Sequence, residues 1–142
     1  MPTVKDIMTK NVISIGADKS VFEAAELMSS SKIGCLVITD GEAPIGIVTE
    51  RDIVRRVVAK NIPVKTKISE IMSRSLITVD PDASLRDAAR VMSSNKIRRL
   101  PVMKQNKLVG IVVASDFVRN VGKKTVSEEI VEAMGRYPAT FP

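Results

Sequence analysis

The stretch Gly46-Ile47-Val48-Thr49-Glu50-Arg51-Asp52-Ile53-Val54-Arg55 returns 64 positions later as Gly110-Ile111-Val112-Val113-Ala114-Ser115-Asp116-Phe117-Val118-Arg119. Each version runs from a glycine-led aliphatic strand into a helical turn that carries an aspartate. A motif that recurs at one fixed spacing marks a duplication. Working outward from it, Val4–Val57 aligns with Ile68–Val121 without a gap, with roughly 20 identities over about 54 positions. Ile7-Met8 matches Ile71-Met72, Ala24-Ala25 matches Ala88-Ala89, and Met28-Ser29-Ser30 with Lys32-Ile33 matches Met92-Ser93-Ser94 with Lys96-Ile97.

Both copies carry the same local signals. Val12–Ile15 and Leu76–Val79 are β-prone. Ser20 and Ser84 then stand as helix N-caps, each followed three residues on by an acid, Glu23 or Asp87. Val21, Ala24, Ala25, Leu27 and Met28 fall at helical spacing, as do Leu85, Ala88, Ala89, Val91 and Met92. Two β-rich runs follow: Cys35–Thr39 and Ile45–Val48 in the first copy, Leu100–Met103 and Leu108–Val113 in the second. In the first copy Asp40-Gly41-Glu42-Ala43-Pro44 between the runs marks a hairpin. A second helix begins near Glu50 or Ser115. Each unit is therefore β-α-β-β-α, and about 54 residues with few aromatics make a marginal core alone, so two packed copies are the expected stable object. The division predicted is 1–60 for the first repeat, 61–67 for a linker, 68–121 for the second repeat and 122–142 for a tail. Within that tail, Thr125–Gly135 has the pattern of a capped amphipathic helix.

Composition narrows the chemistry. The 142 residues include no histidine, so the commonest general base and the usual zinc ligand are missing. Cys35 is the single cysteine and forms no internal disulfide. No stretch approaches the roughly 20 apolar residues that cross a bilayer, so a cytoplasmic protein with no membrane partner is expected. With no phosphate-cradling glycine loop and no converging acids, no enzyme activity, catalytic residue, metal or resident cofactor is expected. The net charge of +6 is unevenly spread: Val4–Val57 has 7 basic and 8 acidic residues, and Ile68–Val121 has 9 and 5. The basic second repeat leaves open a nucleic-acid module, although Phe22, Phe117, Tyr137 and Phe141 form no stacking platform. Nucleic acid is not the expected partner.

Taken in order and twice over, the Ile-Met starts, the Ile97-Arg98-Arg99-Leu100-Pro101-Val102 strand and the Gly-Ile-Val-x-x-x-Asp turns resemble a tandem pair of CBS domains, named after cystathionine beta-synthase. The resemblance covers nearly all of Val4–Val121. It implies an α+β fold of two repeats packed as a pseudo-symmetric pair, here extended by the C-terminal helix, in a stand-alone sensor. Such pairs bind adenosine-containing ligands in the cleft between repeats, with AMP, ADP, ATP and S-adenosylmethionine all open as regulatory ligands. They also pair through their final helices, which implies a homodimer acting on a regulated protein that the sequence does not name.

A carboxylate can accept from both hydroxyls of a ribose, and Asp52 and Asp116 match the family's ribose-binding aspartate. Thr49-x-x-Asp52 is also a capping box; in the second copy Val113 breaks the box while Asp116 persists. The resemblance implies one site from Ile47, Thr49, Arg51 and Asp52 with Ile77, Ile97 and Arg98. The other takes Ile111, Ser115 and Asp116 with Ile13, Ile33 and Gly34. Core packing is the competing role for the isoleucines. Arg98 and Arg99 stand where the first copy has Gly34 and Cys35, so the two sites are expected to differ. Phosphorylated ligands are expected at the Asp52 site, where Arg98 supplies charge-assisted bonds. The Asp116 site is expected to take a less anionic adenosine compound or none. The alternative is a dimerisation module that binds no ligand.

Overall fold

A computed structural model describes residues 2–74 and 76–119; the predicted helix over Thr125–Gly135 lies outside them. The order is α1 (Val4–Ile7), β1 (Ser14–Gly16), α2 (Val21–Ser31), β2 (Cys35–Asp40), β3 (Ala43–Thr49), α3 (Glu50–Asp52) continuing as a π-helical segment Ile53–Val58, a 3-10 turn Ile68–Glu70, α4 (Leu85–Asn95), β4 (Arg99–Lys104), β5 (Lys107–Val113) and α5 (Ala114–Arg119). The class is α+β, as expected.

The long helices start and stop by the same chemistry. The Ser20 hydroxyl accepts from the Glu23 N–H at 3.0 Å, and Ser84 accepts from Asp87 at 3.0 Å. Both helices end in a left-handed lysine, Lys32 or Lys96, each with φ of 55°. The following N–H, of Ile33 or Ile97, reaches back to the carbonyl of Met28 or Met92 at 3.0 Å. That reversal sends the chain directly into β2 or β4. Each hairpin is antiparallel and closes through a two-residue turn, Gly41-Glu42 or Gln105-Asn106. Both carry the same register shift, after Ile38 and after Val102.

The first strands differ. Ser14–Gly16 runs parallel to Val37–Thr39. In the second copy the predicted strand Leu76–Val79 reduces to a single bridge, Val79 to Val102. Two prolines explain the loss. The Ala17 N–H extends the first ladder by donating to Thr39 O at 2.8 Å, and its counterpart Pro81 has no N–H to offer. Pro101 likewise replaces Val37 and removes a donor from the neighbouring strand.

The compact units cut across the repeats. One comprises residues 13–76; the other joins residues 2–12 to 77–119. The opening arm of each copy therefore completes the unit built on the other copy's strands. In the 13–76 unit the Ile68 N–H donates to Lys19 O at 2.7 Å, and Ser73 and Ile47 exchange backbone bonds of 2.9 and 3.1 Å. In the other unit Val4 donates to Ala83 O at 3.0 Å, and Thr9 and Ile111 exchange bonds of 2.9 and 3.0 Å.

Segment 61–67, which connects the repeats, bonds back to α2: Val21 N–H donates to Thr66 O and Phe22 N–H to Val64 O. The cores show the same exchange. Val4 is buried with Leu85, Met92, Leu100, Val112 and Phe117, while Ile68, Ile71 and Met72 are buried with Val21, Met28, Leu36, Ile38 and Val57. Burying one such aliphatic side chain stabilises by about 1.5–3 kcal/mol, enough to seat a short arm.

Candidate functional site

The strand-to-helix turn after β3 is a closed capping box. The Thr49 N–H donates to Asp52 Oδ2 at 2.9 Å, and the Asp52 N–H donates to Thr49 Oγ1 at 3.1 Å. Oδ2 is thereby fixed. Oδ1 has Arg56 Nε at 3.7 Å, beyond hydrogen-bond range, and 18% of the Asp52 side chain remains exposed. Arg56 itself donates from Nη1 to the Ile71 carbonyl at 2.8 Å. Beside the turn, Gly34 O accepts from the Glu50 N–H at 3.0 Å and Cys35 pairs with Thr49.

The equivalent turn after β5 keeps half of that box. Val113 N–H donates to Asp116 Oδ2 at 2.7 Å, but valine has no hydroxyl to return the bond. Asp116 Oδ1 is ion-paired with Arg119, and the aspartate side chain is only 1% exposed. Burial pushes its carboxyl above the ordinary carboxylate value, against the opposing pull of the Val113 N–H and Arg119. Arg98 O accepts from the Ala114 N–H at 2.8 Å, and Arg99 pairs with Val113.

Within each unit, then, the strand residues stand beside the turn of their own copy. Gly34 and Cys35 adjoin the Asp52 turn; Arg98 and Arg99 adjoin the Asp116 turn. The pairing expected from the sequence, Arg98 with Asp52 and Gly34 with Asp116, joins residues of two different units. Within each unit the helix-ending reversal delivers residue 34 or 98 to the strand edge where its own copy's β-hairpin ends.

The remaining predicted residues divide by burial. Ile33, Ile77 and Ile97 pack against the cores, the role that competes with ligand contact. Ile47 and Ile111 are half-buried in β3 and β5, where they also bond the crossing arms. Arg51 is half-buried, whereas Ile13 and Ser115 are exposed. Arg56 and Arg119, the cations nearest the aspartates, were missed; their i+4 and i+3 spacing was the available signal.

The sequence model of the CBS domain matches residues 4–59 and again 68–123. The chain belongs to the CBS-domain family. A CBS domain-containing protein of Bacillus subtilis, YhcV, is 38% identical over 120 residues, covering 84% of this chain and 86% of its own. The solved CBS-domain structure NE2398 superposes with a TM-score of 0.77 at 34% identity, over 84% of this chain and 96% of that one. The CBS pair of MJ0100 was solved in complex with 5'-methylthioadenosine and S-adenosylmethionine. It has a TM-score of 0.76 and 35% identity over 84% of this chain and 94% of that one. CBS pairs are regulatory modules, and this chain is one by family. Among the described residues no helix is long and apolar enough to cross a membrane.

Proposed function

We propose that this CBS pair is a non-catalytic cytoplasmic sensor of adenosine-containing ligands, with AMP, ADP, ATP and S-adenosylmethionine as the candidate set. The carrying observation is the Asp52 turn: Oδ2 is held by the Thr49 N–H, Oδ1 has Arg56 Nε no closer than 3.7 Å, and 18% of the side chain stays exposed. A carboxylate so oriented is prepared to accept from two vicinal hydroxyls without first reorganising. The complex named for the MJ0100 pair supports the adenosine class.

Arg98 and Arg99 supply two guanidinium groups, each suited to a phosphate, which favours the nucleotides over S-adenosylmethionine. Asp116, buried and ion-paired, is the weaker ribose acceptor. The helices after both turns expose Val54 (58%), Val58 (69%) and Val118 (61%). Covering these valines with a second copy gives a homodimer whose geometry a regulated protein reads, the ligand acting by its different affinity for the two geometries.

Calorimetric titration of the four ligands into the full chain, with dimer mass measured alongside, tests this. AMP binding is expected to weaken more than tenfold in Asp52→Ala and less in Asp116→Ala, and the nucleotide preference is expected to vanish in Arg98→Ala combined with Arg99→Ala. If none of the four ligands binds or raises the melting temperature, the sensor reading fails, because a ligand selective for the native state must stabilise it.

A further inference from the structure

The guanidinium of Arg56 touches two things. Nε lies 3.7 Å from Asp52 Oδ1, and Nη1 donates to the Ile71 carbonyl at 2.8 Å. Ile71 belongs to the crossing arm, next to Met72, whose side chain lies against Gly46, and Ser73, which exchanges backbone bonds with Ile47. Every one of these residues lies in the 13–76 unit. Arg56 is also placed by an irregularity, since it falls in the π-helical segment Ile53–Val58 that directly follows Asp52. Wide helical turns of this kind concentrate at functional positions. In the second copy the described turn is α-helical over Ala114–Arg119, the ion pair is made by Arg119, and the residue equivalent to Arg56 is Asn120.

We propose that Arg56 is a positioning residue that couples the charge state of the Asp52 carboxylate to the seating of the arm at Ile71–Ser73. One guanidinium shared between a carboxylate and a carbonyl is held by both, so drawing charge from Asp52 loosens its hold and weakens the bond to Ile71. The equivalent position in the second copy is an asparagine, which carries no guanidinium, so the coupling is assigned to one unit alone. Where a ribose is the group that engages Asp52, the coupling rests on the sensor reading above and gives that site a route to the arm. The link from carboxylate to arm does not itself require any ligand.

The test is a double-mutant cycle read by amide hydrogen exchange at Met72 and Ser73, whose N–H groups bond to Ile68 O and Ile47 O. Asp52→Asn removes the charge, and Arg56→Met keeps an unbranched stem while removing both contacts. Asp52→Asn is expected to raise exchange at these amides about threefold when Arg56 is present and to leave it unchanged on the Arg56→Met background. An equal rise on both backgrounds, or no rise with Arg56 present, overturns the proposal. A second arm adds saturating AMP, which is expected to change exchange at Met72 and Ser73 in the native chain and not in Arg56→Met. If calorimetry shows that AMP does not bind, the ligand reading loses its support while the ligand-free cycle still decides the role of Arg56. If AMP binds and moves the arm equally without Arg56, the coupling falls and the sensor reading stands.

Discussion

The turns at Asp52 and Asp116 descend from one motif and have become opposite electrostatic objects. Both aspartates accept the backbone N–H of the last strand residue, Thr49 or Val113, three positions earlier. The first is partly exposed with Arg56 Nε 3.7 Å away, whereas the second is buried in the first turn of α5 and ion-paired with Arg119. A buried carboxylate committed to a cation is a structural anchor; an oriented, partly exposed one suits the binding role proposed for Asp52. Duplication supplied two equivalent positions, and the neighbouring substitutions Thr49 to Val113 and Arg56 to Asn120 separated their uses.

The largest expected effect lies where the two units are most alike. A Cβ added at Gly46 would come within 2.8 Å of Ser73 O, and one added at Gly110 within 2.9 Å of Thr9 O, with Met72 or Met8 also in the way. Backbone carbonyls cannot swing aside as side-chain ends can. Gly46→Ala and Gly110→Ala are each expected to cost about 1–3 kcal/mol in urea unfolding, by overpacking at the arm crossing. Clearly unequal costs would show that the arms are not seated alike.

At the aspartates the order is expected to split by assay. Asp116→Ala strands the half-buried Val113 N–H and costs about 1–3 kcal/mol, more than the roughly 1 kcal/mol for the cap lost in Asp52→Ala. Ligand affinity is expected to rank the two variants the other way. Acidity sharpens the contrast: because the folded pKa of Asp116 lies above the ordinary 3.8, the folded state holds that proton more tightly. Its contribution to stability is greatest below 3.8 and falls as pH rises through the raised pKa. A carboxyl titration followed by carbon NMR should show an elevated midpoint for Asp116, moved higher still by Arg119→Gln. A midpoint at or below 3.8 would refute the burial argument.

How much of this was legible in the sequence depends on whether the cause is local. Ser20 and Ser84 announced the helices because capping acts over three residues, and the fixed offset announced the repeat. The missing strand before Val79 was not announced, since Pro101 weakens it from the neighbouring strand and only the register shows that Pro101 stands opposite. The arm exchange was invisible for a different reason. Ile7-Met8 and Ile71-Met72 are identical pairs, so an arm satisfies the glycine of its own copy or of the other equally well, and nothing in the side chains says which. The unequal aspartates were only half legible: Val113 showed that the second box was broken, but the burial of Asp116 within α5 depends on tertiary packing.

The arms themselves hold the smallest and most specific difference. Lys5 reaches Asp82 at 3.0 Å, and Lys104 reaches the same carboxylate at 3.2 Å, which clips the 2–12 arm to its unit. The equivalent of Lys5 on the other arm is Ser69, so that arm has no such cation. Lys5 and Lys104 hold the Asp82 carboxyl below the ordinary 3.8, so the clip is fully present above 3.8 and is lost as pH falls through the lower folded value, opposite in sign to Asp116. Both side chains are exposed, so salt near about 1 M should screen the clip. Raising salt, or Lys5→Gln, is therefore expected to speed amide exchange slightly at Val4 and Met8 while leaving Ile68 and Met72 unchanged. An equal response in both arms would mean that backbone pairing and the buried aliphatics seat them alike, leaving the aspartate turns as the place where the two copies diverge.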